Sequence, residues 1–416
     1  MSAKCLEFRG RGKIQGDHVA SDVIFDPYSD VYFDDPYDLY KRLRDENPVS
    51  YNPTYKFYTY SRYADVLEAS RDWSTYSNEW GHAATQVHLP ERPPMAPGSI
   101  LTIDPPMHER LRKLVNRSFT PRAAAKFEHI VRGVINEKAD AVQGQKVVDW
   151  VAEFAALFPV EVICSILGAP KADHQMLRHW VDEQLTINPL KPMDTGDIQR
   201  AMRSFNYFLE LAKEKRKNPG DDMMSELITA QVEEEGDESR PLSDEEVAGF
   251  SSLIAAAGAE TVTKLLGSTV FLLDKNPDQY AKLQGNHNLI AKAVDEANRY
   301  YAPSQYQGRH TMKDVTIHGT DIPAGSGVIL ITGAATRDER QFANPDTYDI
   351  ERDIPVQISF GHGIHYCLGV YLAKLESKIA IETLLTRWPN FKVDHDNTVR
   401  VKMSNVSGFC NLPMTV

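Results

Sequence analysis

The sequence predicts a mainly α-helical protein with a minor β part, in which a large helical domain carries small β-sheets. Most of the chain shows apolar residues at three- and four-residue spacing, as on the buried face of a helix. The segments with this spacing are 36–46, 107–117, 122–143, 152–167, 198–215, 243–274 and 366–388. Strand-like runs are short, at 56–60 and 326–332, so we expect only a minor sheet near each end of the sequence.

The length and composition support a large buried core, since 42% of the 416 residues are apolar. At roughly 150 residues per domain this length allows two or three domains. No stretch in the middle has the composition of a long linker, so we expect residues 21–416 to form a single domain. The polar and charged residues 1–20 are expected to be loosely ordered.

The charge and the N-terminus limit the class of protein. The net charge of -12 argues against nucleic acid as the main partner, because phosphate binding requires a basic face. The N-terminus resembles neither a signal peptide nor a membrane anchor, and no stretch offers about 18 consecutive apolar residues. The four cysteines are too few for a disulfide scaffold and fit a reducing compartment. We therefore expect a soluble, cytoplasmic protein.

The segment Phe360–Gly369, FGHGIHYCLG, carries the strongest chemical signal in the chain. Its three glycines allow the backbone to approach something large and flat. Cys367 falls where this loop enters a predicted helix, whose N–H groups and dipole favour a thiolate. A cysteine thiolate is one of the axial ligands that bind haem iron in proteins.

Other interpretations of this loop are weaker. A zinc site could use His362, His365 and Cys367, but structural zinc normally recruits a second distant pair, and the chain has no Cys-x-x-Cys. A dinucleotide-binding loop would need a third glycine where Tyr366 stands. A buried structural cysteine in a glycine-rich turn is the simplest alternative.

At this loop the sequence resembles the cytochrome P450 monooxygenases. The family's haem loop, Phe-x-x-Gly-x-x-x-Cys-x-Gly, is matched by Phe360, Gly363, Cys367 and Gly369, and the resemblance spans roughly residues 25–416. It implies the cytochrome P450 fold, with haem b (iron protoporphyrin IX) between a long central helix and the cysteine loop. It also implies that Cys367 is the iron ligand.

A second matching segment lies in the predicted helix 243–274. It runs Ala257-Gly258-Ala259-Glu260-Thr261 and resembles the family's oxygen-activating motif. In that motif the alcohol contacts bound O2 and the acid relays protons, which would make Thr261 and Glu260 catalytic, and the glycine marks a kink. From the residues alone, a solvent-facing glutamate beside a threonine bonded to its own helix is the simpler interpretation.

Further haem contacts follow from the resemblance. His108 and Arg112 stand four residues apart on one face of a predicted helix and match the family's propionate clamp. Arg309 and His365 match two more propionate ligands. The full set of expected cofactor contacts is His108, Arg112, Ala257, Gly258, Arg309, Phe360, Gly361, His365 and Gly369. Glu296, Arg299 and Arg352 match a structural triad.

The family analogy implies a monooxygenase that uses O2 and an apolar substrate such as a fatty acid, terpenoid or steroid-like compound. Electrons would come from a ferredoxin and its reductase. The ferredoxin would dock on a basic patch formed by Arg110, Lys113, Arg117 and Arg122. A monomer is expected. A peroxide-driven enzyme and a non-catalytic haem sensor are the alternatives. The first is disfavoured by Glu260-Thr261 and the second by long loops that suit a substrate pocket.

The expected pocket walls are the loop 79–100, the region 177–193, Ala256-Ala257, Ser304 to Gln307 and Ser407-Gly408-Phe409. A loop as long as 79–100 is typically a lid or a binding wall. Several apolar and polar side chains in and near these segments are expected to line the pocket. They are Trp80, Val87, Leu89, Ile187, His82, His88, Gln305 and Gln307.

Overall fold

A computed structural model describes residues 23–94, 97–185, 194–232, 240–403 and 405–416 of the chain. These residues fall into two compact units. The sheet unit contains the described residues up to Pro93, together with Gly267–Cys367 and Val393–Leu412. The helical unit contains Pro94–Leu266, Leu368–Lys392 and Pro413–Val416. The single domain expected over 21–416 stays a prediction, and residues 1–20 lie outside the described residues.

Helices dominate the secondary structure, as the sequence predicts. They are α1 (Asp30–Asp34), α2 (Tyr37–Glu46), α3 (Tyr63–Arg71), α4 (Met107–Val115), α5 (Pro121–Lys126), α6 (Glu128–Ala141), α7 (Pro159–Leu167), α8 (His174–Leu185), α9 (Thr195–Lys217), α10 (Met223–Thr229), α11 (Asp244–Lys275), α12 (Pro277–Gly285), α13 (Ile290–Tyr300), α14 (Thr332–Ala335) and α15 (Val370–Arg387).

The strands are short. They are β1 (Val49–Asn52), β2 (Phe57–Tyr60), β3 (Tyr76–Ser77), β4 (Val147–Asp149), β5 (Gln231–Val232), β6 (Arg240–Pro241), β7 (Gln307–Thr311), β8 (Val315–Ile317), β9 (Thr320–Ile322), β10 (Gly327–Leu330), β11 (Lys392–Val393), β12 (Val399–Arg400), β13 (Phe409–Asn411) and β14 (Pro413–Thr415).

Three of the predicted helices differ from the observed ones. The segment 122–143 forms two helices, α5 and α6, because the chain turns at Phe127. The segment 152–167 is divided as well: a π-helical turn ends at Ala155, and Pro159, which has no N–H to donate, starts α7. The helix expected from residue 366 begins only at Val370.

The main sheet brings together the two runs that the sequence assigned to separate sheets. Its strand order is β1-β2-β10-β7-β3. β10 pairs in parallel with β2, with Gly327 opposite Phe57, so a single sheet joins residues far apart in the chain. The expectation of one minor sheet near each end of the sequence is therefore wrong.

The sheet unit has apolar cores on both faces of this sheet. Ile329 packs into a cluster with Phe25, Tyr40 and Phe57, whereas its neighbours Val328 and Leu330 pack into a second cluster with other residues. Successive side chains of a strand point to opposite faces, so an entirely apolar strand is buried on both.

The helical unit is organised around aromatic packing. The Trp150 ring lies 4.6 Å from that of Phe154 and meets Trp388 edge-on at 6.2 Å. Among the described residues, one stretch, Trp150–Leu167, is long and apolar enough to cross a membrane, and 72% of it is buried inside the protein. This degree of burial is typical of a core helix.

Candidate active site

The cysteine loop is held by its own backbone. The Cys367 amide donates to the Phe360 carbonyl at 2.8 Å, and the Tyr366 amide donates to Gly363 at 3.1 Å. Helix α15 starts at Val370, so Cys367 lies three residues before the first helical residue. The thiol therefore stands farther from the helix dipole than the sequence suggested, and the loop itself positions it.

Two glycines of this loop adopt backbone conformations that other residues avoid. Gly361 has φ +74° and Gly363 has φ +71°, both in the left-handed region. A Cβ added at Gly363 would also overlap the Ser70 carbonyl at the end of α3. Gly363 thus lets the cysteine loop lie directly against α3.

The cysteine loop forms an accessible strip between two buried residues. Ser359 and Val370 are buried, but every residue of 361–369 is at least partly exposed. Cys367 lies within this strip and forms no disulfide. Partial exposure of nine consecutive residues around a thiol fits a surface that a large flat group would cover.

The other described cysteine without a disulfide, Cys164, is unsuited to metal binding. Cys164 is fully buried, and burial, followed by the charge of Glu161, raises the pKa of its thiol to about 12. Since the thiolate is the metal-binding form, this environment opposes ligation. Cys410 is disulfide-bonded, so its sulfur is not available as a thiolate.

The predicted structural triad is confirmed. Arg299 donates to both carboxylate oxygens of Glu296, at 2.7 and 2.8 Å, and Arg352 donates to the same carboxylate at 3.0 Å. Arg299 also donates to the carbonyls of Thr336 and Pro345. These bonds tie α13 to the irregular segment that precedes the cysteine loop.

Helix α11 carries the acid and the alcohol on a partly exposed stretch. Ala255 and Ala259 are buried, whereas Ala257 is exposed and Thr261 is partly exposed. The Thr261 hydroxyl donates to the Ala257 carbonyl at 3.0 Å, as in the simpler interpretation of the sequence. This bond uses the hydroxyl proton and leaves the Thr261 oxygen able to accept.

Glu260 forms an ion pair that sequence reasoning missed. Its carboxylate lies 2.8 Å from the Lys264 ammonium, one turn later in the helix. The i,i+4 spacing of an acid and a lysine was the available signal. Gly258, the expected site of a kink, lies within the continuous α11, and a Cβ there would lie 3.3 Å from Ile163. The kink stays a prediction.

The expected propionate ligands are divided between the units. His108, which is buried, and Arg112 lie one turn apart on α4 of the helical unit. Helix α4 begins at Met107, directly after the two prolines, as the sequence predicts. Arg309 is buried on β7 of the sheet unit, and His365 lies in the cysteine loop of that unit. Gly369 is the residue that precedes α15.

These donor groups suit a haem. A thiol can bind iron, and imidazoles and guanidinium groups suit the two carboxylates of protoporphyrin IX. Zinc is a poorer fit, because no three histidine, cysteine or acidic side chains within the described ranges form a metal-binding group.

Two of the expected pocket residues are buried in the sheet unit. Val87 is fully buried, and a Cβ on Gly308 or Gly327 would overlap it. Gln305 is also buried: it accepts from the Tyr40 hydroxyl at 2.8 Å and donates to the Ala302 carbonyl at 2.6 Å. Both side chains are thus engaged inside the sheet unit, and their place in a pocket wall stays a prediction. Ile187 lies outside the described residues.

In the loop that follows β3, Trp80 and His82 have specific contacts with β7. The Trp80 ring stacks on His310 with centroids 3.9 Å apart. Burial, with the charge of Arg309, lowers the pKa of His82 to about 4, so its imidazole is neutral at physiological pH. An uncharged His82 beside Trp80 keeps this part of the loop largely apolar.

Comparison with known proteins gives consistent results. The family model for cytochrome P450 matches residues 38–415. The vitamin D(3) 25-hydroxylase of Pseudonocardia autotrophica is 35% identical over 397 residues, which cover 94% of this chain and 96% of that protein. The biotin biosynthesis cytochrome P450 of Bacillus subtilis is 33% identical over 383 residues, covering 88% and 92%. The structure of CYP109E1 from Bacillus megaterium with corticosterone is 30% identical, with a TM-score of 0.79, and covers 92% of this chain and 98% of its own.

Proposed function

The chain belongs to the cytochrome P450 family, and on this premise we propose that Cys367 holds a haem b that inserts oxygen into an apolar small molecule. The family shows the chain to be a monooxygenase that binds haem through a cysteine thiolate and acts on small molecules with O2 and redox partners. The overall reaction would be R–H + O2 + 2 e⁻ + 2 H⁺ → R–OH + H2O. When bound, the haem iron supplies the activation of O2.

The observation that carries the assignment of Cys367 is its place in the accessible strip 361–369. Its backbone amide is fixed by Phe360, so the thiol is held by a loop that is already ordered. The alternative thiol, Cys164, is buried with a raised pKa. Cys367 is thus the thiol in the described residues best suited to bind iron.

The acid and alcohol of α11 would hold and supply the protons that the reaction consumes. Because the Thr261 hydroxyl donates to the Ala257 carbonyl, its oxygen can accept a hydrogen bond from a water molecule that carries a proton into the site. The Glu260 carboxylate, which is partly exposed, can exchange protons with solvent and pass them on through water. In this proposal Thr261 positions the proton and Glu260 supplies it.

The haem carboxylates would be bound by His108, Arg112, Arg309 and His365. Arg309 is 4% exposed, and a buried guanidinium gains from an anionic partner. Backbone contacts from Ala257, Gly258, Phe360, Gly361 and Gly369 would complete the cofactor site.

We propose a ferredoxin and its reductase as the electron source. Lys113, Arg117 and Arg122 are exposed and Arg110 is partly exposed, all within α4, α5 and the turn between them. On a protein of net charge -12, such a local basic patch would steer an acidic partner. A cytoplasmic monomer is the form expected to meet that partner.

The substrate would be a fatty acid, terpenoid or steroid-like compound. A steroid-like molecule is supported by two relatives: one is called a vitamin D(3) 25-hydroxylase, and the other was solved with corticosterone. Because His82 is neutral, it offers no positive charge to an anion, so the loop that carries it favours an apolar ligand over an anionic one.

The decisive measurement is the absorption spectrum of dithionite-reduced protein under carbon monoxide. A strongly red-shifted Soret band is expected for wild type and for Cys164→Ala, the matched control. Cys367→Ser should lose the shift. Absence of haem in wild type, or a shifted band in Cys367→Ser, would overturn the proposal. Spin-state changes with representative fatty acids, terpenoids and steroids would then identify the substrate class.

A further inference from the structure

We propose that Lys264 is a positioning residue for proton delivery, which holds the Glu260 carboxylate in a fixed direction through a buried ion pair. This inference rests on the proposed role of Glu260 and adds a residue to it. Lys264 itself would touch neither substrate nor cofactor.

The burial of Lys264 sets it apart from ordinary helix-surface lysines. Its side chain is only 5% exposed, and that of its partner Glu260 is 20% exposed. Lysine is almost never fully buried unless it is paired, because removing an ammonium from water is costly. An exposed i,i+4 pair, such as Lys378 with Glu382, carries no such cost. The Lys264 ammonium therefore depends on Glu260 for its charge compensation.

The geometry separates the acid from the alcohol. Glu260 is held toward Lys264, four residues later in α11, whereas the Thr261 hydroxyl is directed to Ala257, four residues earlier. Neighbouring side chains are thus held in opposite directions along the helix axis. A carboxylate held in this way is directed away from the Thr261 hydroxyl, and in this proposal water carries the proton between them.

A second carboxylate, that of Asp182, interacts electrostatically with both Glu260 and Lys264. Burial raises the pKa of Asp182 on α8 to about 6; the charges of Arg178, His179 and Lys264 oppose the rise, and that of Glu260 adds to it. Asp182 pairs with Arg178 at 2.9 Å, within its own helix. Lys264 is therefore the cation that Glu260 contacts directly, while Asp182 has Arg178.

A double-mutant cycle tests whether Lys264 acts through Glu260. The variants are Lys264→Met, Lys264→Arg, Glu260→Gln and the double variant Lys264→Met/Glu260→Gln, with Lys378→Met as the matched control. NADPH oxidation is followed with a plant ferredoxin and its reductase, O2 and no organic substrate, in H2O and in D2O. The carbon monoxide spectrum verifies an intact haem site in each variant. If the methionine variant does not retain haem, Lys264→Gln replaces it.

We expect Lys264→Met to slow NADPH oxidation by about tenfold and to increase the solvent isotope effect. The reason is that a misplaced Glu260 carboxylate slows proton transfer, which then limits the rate. Lys264→Arg should restore both values, and Lys378→Met should match wild type. The double variant should be no slower than Glu260→Gln. A Lys264→Met variant as fast as wild type, beside a slow Glu260→Gln, overturns the role of Lys264 alone. A Glu260→Gln variant as fast as wild type overturns the proposed relay and, with it, this inference.

Discussion

Arg299 binds Glu296 through two hydrogen bonds of 2.7 and 2.8 Å, and neither side chain is more than 1% exposed. Since Arg352 shares the same carboxylate, three charges with a net charge of +1 lie in or near the core of the sheet unit. Such a group stabilises only while every member keeps its partners.

Arg299→Lys should therefore reduce the free energy of unfolding by about 3–5 kcal/mol, because lysine cannot reproduce the two parallel bonds. Urea denaturation followed by far-UV circular dichroism measures the change. Arg42→Lys, in an exposed pair with Glu46, is the control and should cost less than about 1 kcal/mol. Equal stability of Arg299→Lys and wild type would contradict the structural role.

Thr261→Ala should uncouple the enzyme, so that electrons from NADPH appear as hydrogen peroxide and not as product. The reason is the loss of the oxygen that accepts the hydrogen bond. Thr261→Ser keeps this hydroxyl and should stay coupled. The ratio of peroxide to NADPH consumed, with a substrate found in the spin-state screen, measures the effect. Coupling as tight as wild type in Thr261→Ala would remove Thr261 from the proposal.

Gly363→Ala should lower the stability of the protein, whereas Gly369→Ala should lower its affinity for haem. Alanine at 363 would be strained at φ +71° and would overlap Ser70, so we expect a loss of about 1–3 kcal/mol or more of stability with or without haem. At Gly369 an added Cβ meets no protein atom within 4 Å. If haem lies there, Gly369→Ala should lower haem affinity and leave the stability of the apoprotein unchanged. Normal haem affinity in Gly369→Ala would argue against that contact.

Because of the buried Glu376 side chain, the free energy of unfolding should fall as pH rises. Burial raises its pKa well above 4.5, so the folded state keeps a proton that the unfolded state loses. Its stabilising effect is complete below about pH 4.5 and is lost as pH rises toward the folded pKa, by up to about 1.4 kcal/mol per pH unit. Urea unfolding of the holoenzyme across pH measures this slope. Glu376→Gln should reduce this slope, and an unchanged slope in that variant would contradict the assignment.

Charge reversal in the basic patch should weaken reduction by a ferredoxin. Lys113→Glu combined with Arg117→Glu should lower the second-order rate at low salt, and the difference from wild type should shrink as salt is added. Stopped-flow reduction under carbon monoxide measures the rate. Lys146→Glu, another exposed site, should have little effect. A rate that is independent of salt in wild type would argue against electrostatic docking.

Most helices could be predicted because their periodicity is local. The helix 198–215 was found close to its observed bounds, which an N-terminal capping box at Asp194 sets. The division at Pro159 also had a local signal, since proline starts helices readily. The turn at Phe127 had none, because the apolar spacing continues through it.

In the candidate site, too, the residues with a recognisable sequence motif could be predicted, whereas those whose environment depends on tertiary packing could not. Glu296, Arg299 and Arg352 were recognisable because a family motif links distant residues. The burial of Val87 depends instead on two sheet glycines more than 200 residues later, Gly308 and Gly327. The environment of Lys264 depends on the packing of α11, and no spacing rule tells a buried ion pair from an exposed one. Local pattern thus identified the chemistry, and tertiary packing determined which side chains are accessible.

The contrast between Cys367 and Cys164, the described cysteines that form no disulfide, offers a direct count of cofactor occupancy. Maleimide reagents modify accessible thiols, so they should label Cys367 in apoprotein and spare Cys164 as long as the fold is intact. Haem bound at Cys367 would block the labelling. The fraction of chains that gain one adduct by mass spectrometry would then equal the fraction that lacks haem, independently of any absorbance.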